Sequence, residues 1–523
     1  MKVLLIAVRL TGTKIGCNEG GCGACTVMIS ELNPTDGQIR HYSVNACLTP
    51  LCSLFGKAIT TIEGIGNTKK LHPIQERLAR AHGSQCGFCS PGFVMAMYTL
   101  LRNNPNPTKD EINEAIQGNL CRCTGYRPIL EAFYSFAENS TLNGDMEDCA
   151  VENVHCKCKQ QKAVVNDRKE LSKLTQFYGC SKYDPSQELV FPPALLARPM
   201  CSKSFCMMQN DIVWFQPKTL TDLLALKAHY PKAKIICGNT ELGVELKFQF
   251  NHVSTYINPK QVPELLESFF DEHKGAYIGA AISLNEMSNM LTSFAKRVPG
   301  LTTFAGNLAT ASPISDLNPI WMVANASVVL ISASNGERIV AVDEKFFIDY
   351  RKTIICDDEI IKGIWIPLTE QNEYFEVYKQ SQRRDDDIAI VNGAFSVRLE
   401  PQTLEVLSVR IAYGGMAQTA KFACCTSSAL VGKKWDRQLL DLAIDQLADE
   451  FALSPGVPGG MERYRQALAL SFFFKFFMYV EKQLNVYFDL IQISSSTMAD
   501  EKLFNDSYQK FTSTQLYQVP SLL

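Results

Sequence analysis

The chain has 523 residues, 46% of them hydrophobic, and a formal net charge of −3, which is material for about three or four conventional domain cores. No basic stripe interleaved with aromatics is present, which argues against nucleic acid as a partner. Its 19 cysteines would form disulfides in a secreted protein; here many cluster at ligand spacing behind no evident secretory signal, which fits metal ligation in a reducing cytosol.

The first predicted element, residues 1–9, is apolar but too short to span a bilayer, and reads as a core segment entering a loop. That loop is Cys17-Asn18-Glu19-Gly20-Gly21-Cys22-Gly23-Ala24-Cys25, with Cys47 further on. The C-x₄-C-x₂-C…C spacing is that of a plant-type [2Fe–2S] centre. Gly16, Gly20, Gly21 and Gly23 let the loop wrap closely and turn N–H groups toward thiolates. Zinc, which also takes thiolates, and a buried cysteine-rich turn are the alternatives. With a β-branched stretch at 58–62 and a turn at 63–66, residues 1–65 read as a small, mostly β domain.

Residues 66–140 read as four short helices. Pro73 opens one; Pro91 opens a second that places Phe93, Met97, Leu100 and Leu101 on one face. Thr108-Lys109-Asp110-Glu111 is a capping box ahead of Ile112 and Ile116, and Pro128 starts the last helix. A second cysteine set lies here, Cys86 and Cys89 before the second helix and Cys121 and Cys123 after the third. The helix dipole starting near Pro91 favours bound negative charge beside the first pair, with zinc again the runner-up.

Residues 141–210 read as a linker in which Cys149, Cys156, Cys158, Cys180, Cys201 and Cys206 are incidental thiols. From 211 to 368 the pattern is α/β. A strand at 212–215 and an amphipathic helix through Leu220, Leu223 and Leu224 precede a buried strand at 234–237, which delivers the turn Gly238-Asn239-Thr240-Glu241-Leu242-Gly243. Such a turn can offer N–H groups to a pyrophosphate, although it is no GxGxxG and a plain strand-to-helix turn is an equally good reading. Strands at 277–282 and 327–331 flank a rigid polar loop at 310–319. Residues 369–482 are α+β, with a strand at 405–411, a helix around 439–447 and an apolar stretch at 470–478. That stretch is short and carries Lys475, so it reads as a buried helix and not a membrane span. Residues 483–523 read as a polar, irregular tail.

The two cysteine sets in this order, followed by Gly238-Asn239-Thr240-Glu241, resemble the xanthine dehydrogenases of the molybdenum hydroxylase family. Matching stretches lie at residues 83–89, 118–128 and 312–319, and residues 310–319 and 383–389 look more like xanthine dehydrogenase than aldehyde oxidase. The resemblance implies an α+β multidomain fold. Its parts are a β-grasp ferredoxin-like domain at 1–65 (short at its N-terminus), a small four-helix [2Fe–2S] domain at 66–140, a linker at 141–210, an α/β FAD-binding domain at 211–368, and an α+β C-terminal flavoprotein subdomain at 369–482. Residues 299–307 replace a longer family segment, and Asn18 stands where the family has glycine.

The resemblance also implies two [2Fe–2S] clusters, one on Cys17, Cys22, Cys25 and Cys47 and one on Cys86, Cys89, Cys121 and Cys123. It implies FAD on Ile235, Ile236, Cys237, Gly238, Asn239, Thr240, Glu241 and Leu242, and on Phe304, Asp316, Ile361 and Lys379. Read without the family, Asp316 is a helix cap, Ile361 is core and Lys379 is a solvated charge. The implied activity is that of an oxidoreductase of purine catabolism: a molybdenum centre oxidises hypoxanthine to xanthine to urate, and electrons pass through both clusters to FAD and then NAD. The molybdenum-binding portion, with its molybdopterin and catalytic glutamate, is absent from the sequence. No catalytic residue is therefore assigned, and xanthine hydroxylation is not expected of this chain alone. Implied partners are NAD, a molybdenum-binding domain or subunit and a second copy as homodimer, with no membrane; the compartment is the cytoplasm or the peroxisome. An aldehyde oxidase-like portion, a separate flavin and iron–sulfur subunit, or an inactive partial product are the alternatives.

Overall fold

A computed structural model of the chain describes residues 1–33, 37–137, 177, 179–196, 204–249, 252–284, 286–287, 303–383 and 387–492. Cys149, Cys156, Cys158 and Cys201, residues 384–386, residues 299–302 and the tail beyond 492 lie outside the described residues. The chain forms two compact units: Met1–Gln216 with Lys234–Asn258, and Pro217–Ala233 with Pro259–Leu523.

The first unit opens with a helix, Lys2–Ala7, of which only one side is covered: Leu5 is buried while Ile6 and Val8 are exposed. The expected core segment is thus core on one face only, as helical periodicity requires. A three-stranded antiparallel sheet follows, with Thr26–Leu32 between Ile39–Asn45 and Ala58–Thr60. Its central strand is buried on both faces through Val27, Met28 and Ile29, because Met28 belongs to the helical core as well. Residues Ile62–Ile65, expected to end a strand in a turn, form a short helix instead.

The four predicted helices are present as Pro73–Arg80, Ser90–Asn103, Lys109–Ile116 and Arg127–Tyr134. Phe93, Met97, Leu101, Ile112, Ile129 and Phe133 fill the space between them. The capping box closes as expected: the Glu111 N–H donates to Thr108 Oγ1 (3.2 Å) and the Thr108 N–H to Glu111 Oε2 (2.7 Å).

Part of the segment read as a linker is ordered into this unit. Phe177 is buried in the helical core and the Tyr183 hydroxyl donates to the Leu101 carbonyl (3.2 Å). Glu188 pairs with His72 Nε2 (2.9 Å), and Phe205–Gln209 is a strand. That strand edges a second sheet, in the order Phe205–Gln209, Ile212–Gln216, Thr255–Ile257, Lys234–Ile235, with the first pair antiparallel and the rest parallel. Low polarity of the linker as a whole is not needed for this; Phe177, Tyr183 and Phe205 each find an apolar or aromatic neighbour.

The second unit contains a five-stranded antiparallel sheet in the order Gly336–Ala341, Ser327–Ser332, Ile360–Ile366, Gly275–Gly279, Ser268–Asp271. The predicted strand at 277–282 therefore sits two residues early and stops at Gly279. A four-stranded antiparallel sheet of Glu373–Ser381, Ala389–Leu399, Val406–Gly414 and Lys421–Phe422 is backed by helices Arg437–Glu450 and Glu462–Gln492. Phe395, Tyr413, Trp435, Phe472, Phe473 and Phe476 make an aromatic core there. The last helix runs through residues 483–492, where the polar composition predicts an irregular tail; the stretch holds no proline or glycine to stop it. Among the described residues no helix is long and apolar enough to cross a membrane.

Candidate electron-transfer site

The first cysteine set hangs from the edge of the three-stranded sheet. Cys25 immediately precedes Thr26–Leu32 and Cys47 follows Ile39–Asn45, and the register Thr26↔Asn45 brings those strand ends together. The loop between 17 and 25 is turned inward by its own backbone. The Cys17 N–H points at Cys22 Sγ (3.4 Å) and the Glu19 N–H at Cys17 Sγ (3.4 Å). Asn18 sits at φ 65°, so the position does demand left-handed backbone, and asparagine is the residue after glycine that best accepts it. Asn45 Nδ2 ties the loop down by donating to the Gly20 carbonyl (2.8 Å).

The four thiols fall into two pairs. Cys17 contacts Cys22, and Cys25 contacts Cys47. Within the second pair the hydrogen bond from Cys25 carries Cys47 down to about 6, with burial opposing and the Lys247 ammonium assisting. The same contact, with burial, pushes Cys25 far up. Burial also raises Cys17. The contact thus favours the thiolate on Cys47, the form in which a thiol ligates metal, at the expense of Cys25.

The second set shows the same two-by-two order. Cys86 contacts Cys123, and Cys89 contacts Cys121. The Phe88 N–H, then Cys123, lower Cys86. Burial, then Cys121, push Cys89 up to about 12. Burial works against Cys121, but the Thr124 hydroxyl (3.0 Å from Sγ) and N–H (3.4 Å) bring it below the ordinary thiol value. Helix Ser90–Asn103 begins directly after Cys89, as the proline punctuation predicts.

The two loops are bonded to each other. The Leu120 N–H, next to Cys121, donates to the Cys22 carbonyl (3.0 Å), and Asn119 Nδ2 donates to the Gly23 carbonyl (2.8 Å). Gly23, at φ 65°, admits no side chain: an added Cβ would stand 2.3 Å from the Gly118 carbonyl oxygen. Asn119, Thr124, Asn45 and Lys247 all serve the sites, and none was singled out from sequence. Each acts across 25 or more residues except Thr124, which the short Cys121–Thr124 spacing offered as a local signal.

Both sets fit [2Fe–2S] clusters on this geometry. Four thiols in each set, with N–H groups aimed at sulfur, would suit the negative charge of a thiolate-bound iron–sulfur cluster.

The candidate flavin residues divide between the units. In the first, the strand ends early, at Ile235, and residues 236–241 make the turn into Leu242–Val244. Asn239 takes φ 61° and its amide donates to the Leu48 carbonyl (2.6 Å), leaving Oδ1 buried without a partner. Among the described residues the N–H groups of Gly238, Asn239 and Thr240 donate to no protein acceptor, so this turn fits an anionic ligand of the pyrophosphate kind. In the second unit Phe304 is fully buried against Trp321 and Ile361 is buried in the five-stranded sheet. Asp316 and Lys379 form an ion pair at 2.6 Å. The loop before Asp316 is rigid: Asn392 Nδ2 donates to the Ser315 carbonyl (2.8 Å), the Gly415 N–H donates to the Pro313 carbonyl (2.8 Å), and Ser315 bonds Asn307.

Family models match the chain in four places. These are a 2Fe-2S iron-sulfur cluster binding domain at residues 1–52, a [2Fe-2S] binding domain at 61–134, an FAD binding domain in molybdopterin dehydrogenase at 207–369, and a CO dehydrogenase flavoprotein C-terminal domain at 376–480. Among curated proteins, xanthine dehydrogenase/oxidase of Gallus gallus is 42% identical over 520 residues, covering 91% of this chain and 38% of that protein. The Rattus norvegicus xanthine dehydrogenase/oxidase is 43% identical over 510 residues, covering 92% and 38%. Xanthine dehydrogenase of Calliphora vicina is 41% identical over 507 residues, covering 91% and 37%. The chain spans 37–38% of the length of these relatives.

Proposed function

The chain belongs to the xanthine dehydrogenase family, of which it spans the N-terminal iron–sulfur and flavin-domain portion, and from that premise we propose that it is the electron-transfer portion of a xanthine dehydrogenase-like molybdenum hydroxylase. In this reading Cys17, Cys22, Cys25 and Cys47 hold one [2Fe–2S] cluster and Cys86, Cys89, Cys121 and Cys123 the other. Residues 235–242, with Phe304, Asp316, Ile361 and Lys379, serve FAD. When bound, the clusters supply one-electron storage and the flavin an exchange between one- and two-electron carriers. The protein's own part is to release thiol protons, to aim N–H groups at the sulfurs, and to keep the two cysteine loops bonded side by side. Purines as the source of electrons, NAD as their acceptor, a molybdenum-binding partner and a homodimer belong to the same proposal.

The observation that carries it is the sorting of eight cysteines into two quartets of two thiol pairs, with the Leu120 N–H on the Cys22 carbonyl joining the quartets. Anaerobic reconstitution of the full chain tests it. About four irons and as many sulfides per chain are expected, together with FAD released on denaturation and NADH oxidation by an artificial acceptor, but no turnover of xanthine by the chain alone. Zinc without inorganic sulfide overturns the proposal, and unaided xanthine turnover overturns its last part.

A further inference from the structure

Lys379, Asn392 and Gly414 are register partners on three neighbouring strands of the four-stranded sheet, so they form one row across it. The loop at 313–316 lies along that row and is bonded at each strand. The Gly415 N–H donates to the Pro313 carbonyl (2.8 Å), Asn392 Nδ2 to the Ser315 carbonyl (2.8 Å), and Lys379 Nζ to Asp316 Oδ2 (2.6 Å). The loop comes so close that a Cβ added at Gly414 would stand 2.9 Å from the Pro313 carbonyl oxygen. One end of the row is fastened by Arg465, a buried residue of helix Glu462–Gln492. Its Nη1 donates to the Gly415 carbonyl (2.8 Å) and its Nη2 to the Pro458 carbonyl (3.2 Å), while the buried Nε has no partner. Gly415 is therefore held through both of its backbone groups: its carbonyl by Arg465 and its N–H by the loop.

Burying a guanidinium is costly unless its N–H groups are bonded, and here the bonds go to the backbone of two turns. The Glu462 carboxylate lies in the field of Arg465, so what Arg465 supplies is its hydrogen bonds and not a lone charge. Gly415 sits at φ 83°, and a glycine released from one partner regains much backbone freedom. The loop bonded to its N–H would move with it. We propose that Arg465 is a positioning residue for Asp316: by holding the Gly415 carbonyl it fixes the turn that carries the loop, and so fixes where the Asp316–Lys379 pair stands. This rests on the flavin reading above, in which Asp316 and Lys379 serve FAD, and deepens it by a residue that bonds neither of them.

The test uses the full chain, first without FAD and then with it. Arg465→Gln removes the fork; Arg465→Lys replaces its two arms with a single ammonium. Without FAD, hydrogen exchange at the Gly415 amide is expected to quicken about tenfold in Arg465→Gln and about threefold in Arg465→Lys, as for the loss of all or part of one buried hydrogen bond. Exchange within strand Glu373–Ser381 stays as in the wild type. With FAD, the dissociation constant rises by similar factors and the visible circular dichroism of the bound flavin changes. Because Arg465 acts through Asp316, the double variant Arg465→Gln/Asp316→Asn binds FAD no more weakly than Asp316→Asn alone. A folded variant whose Gly415 exchange and FAD binding match the wild type overturns the proposal. So does exchange that quickens equally across the whole sheet, or losses at the two positions that simply add. If Arg465→Gln does not fold, Arg465→Lys decides by the same readouts, with Arg465→Lys/Asp316→Asn as the double variant. A wild-type chain that binds no FAD overturns the flavin reading itself, and the inference with it.

Discussion

Cys47 is the most telling single residue, because its neighbours have prepared it to be a ligand before any metal arrives. The thiol of Cys25 donates to it and Lys247 stands at its own carbonyl, and both favour its thiolate. Replacing it with serine removes a soft ligand that oxygen does not imitate well. Cys47→Ser is expected to lower bound iron from about four to about two per chain, with the second cluster's paramagnetic signal intact; unchanged iron would refute the ligand assignment. His41 gives a prediction of a different kind. Burial, then the Arg102 guanidinium 3.4 Å from Nε2, lower it from 6.5 to about 4, while Ser30 Oγ lies 2.7 Å from Nδ1. Between those two values the unfolded chain binds a proton that the folded chain refuses. Stability is therefore fully present above 6.5 and is lost as the pH falls toward 4. The difference in denaturant midpoint between pH 7 and pH 5 should shrink in His41→Gln; a difference of the same size would place the acid sensitivity elsewhere.

Elements explain how side chains so far apart in sequence arrive at one place, and also which of them could be read in advance. Helix Lys109–Ile116 was legible because its signal is local: Thr108 and Glu111 are three residues apart and cap each other. The cysteine quartets were legible because ligand spacing is local too. Lys247 and Asn119 were not, since the bonds that give them meaning span 200 and 96 residues and leave no periodic trace. The opening helix Lys2–Ala7 and the continuation to Gln492 were missed for another reason: short apolar or mixed stretches without breakers do not declare their secondary structure. The contrast predicts two unequal mutants. Thr108→Ala removes one cap and should cost about 1 kcal/mol, seen as faster hydrogen exchange confined to residues 109–116. Gly92→Ala lies on helix Ser90–Asn103 where an added Cβ would stand 2.3 Å from the Gly23 carbonyl oxygen, a backbone atom of the first cysteine loop. Overpacking of this kind costs about 1–3 kcal/mol, and here it pushes apart the two loops that Asn119 and Leu120 join. Gly92→Ala should therefore disturb the spectra of both clusters, and a mutant with wild-type spectra would show that the loops are joined by less than these contacts.

For the molecule as a whole, the division into two units sets what metal removal can do. The first unit carries both quartets, and its helical core, to which Cys121 belongs, is built from Phe93, Met97, Ile112, Ile129 and Phe133. The second unit carries neither; its stability comes from the aromatic core of Phe395, Tyr413, Trp435, Phe472 and Phe476 between a four-stranded sheet and two helices. A group that binds only the folded state adds its binding free energy to the stability of the unit that holds it, and of no other unit unless the two unfold as one. Scanning calorimetry of the loaded chain should then show two transitions. Stripping iron and sulfide should lower one of them and leave the other where it was, and the moving transition should be the one abolished by proteolysis within the first unit's helices. If both transitions fall together on stripping, the units unfold as a single cooperative body. If neither moves, the eight cysteines bind nothing that the fold depends on, and their pairing across the Cys22–Leu120 bond needs another explanation.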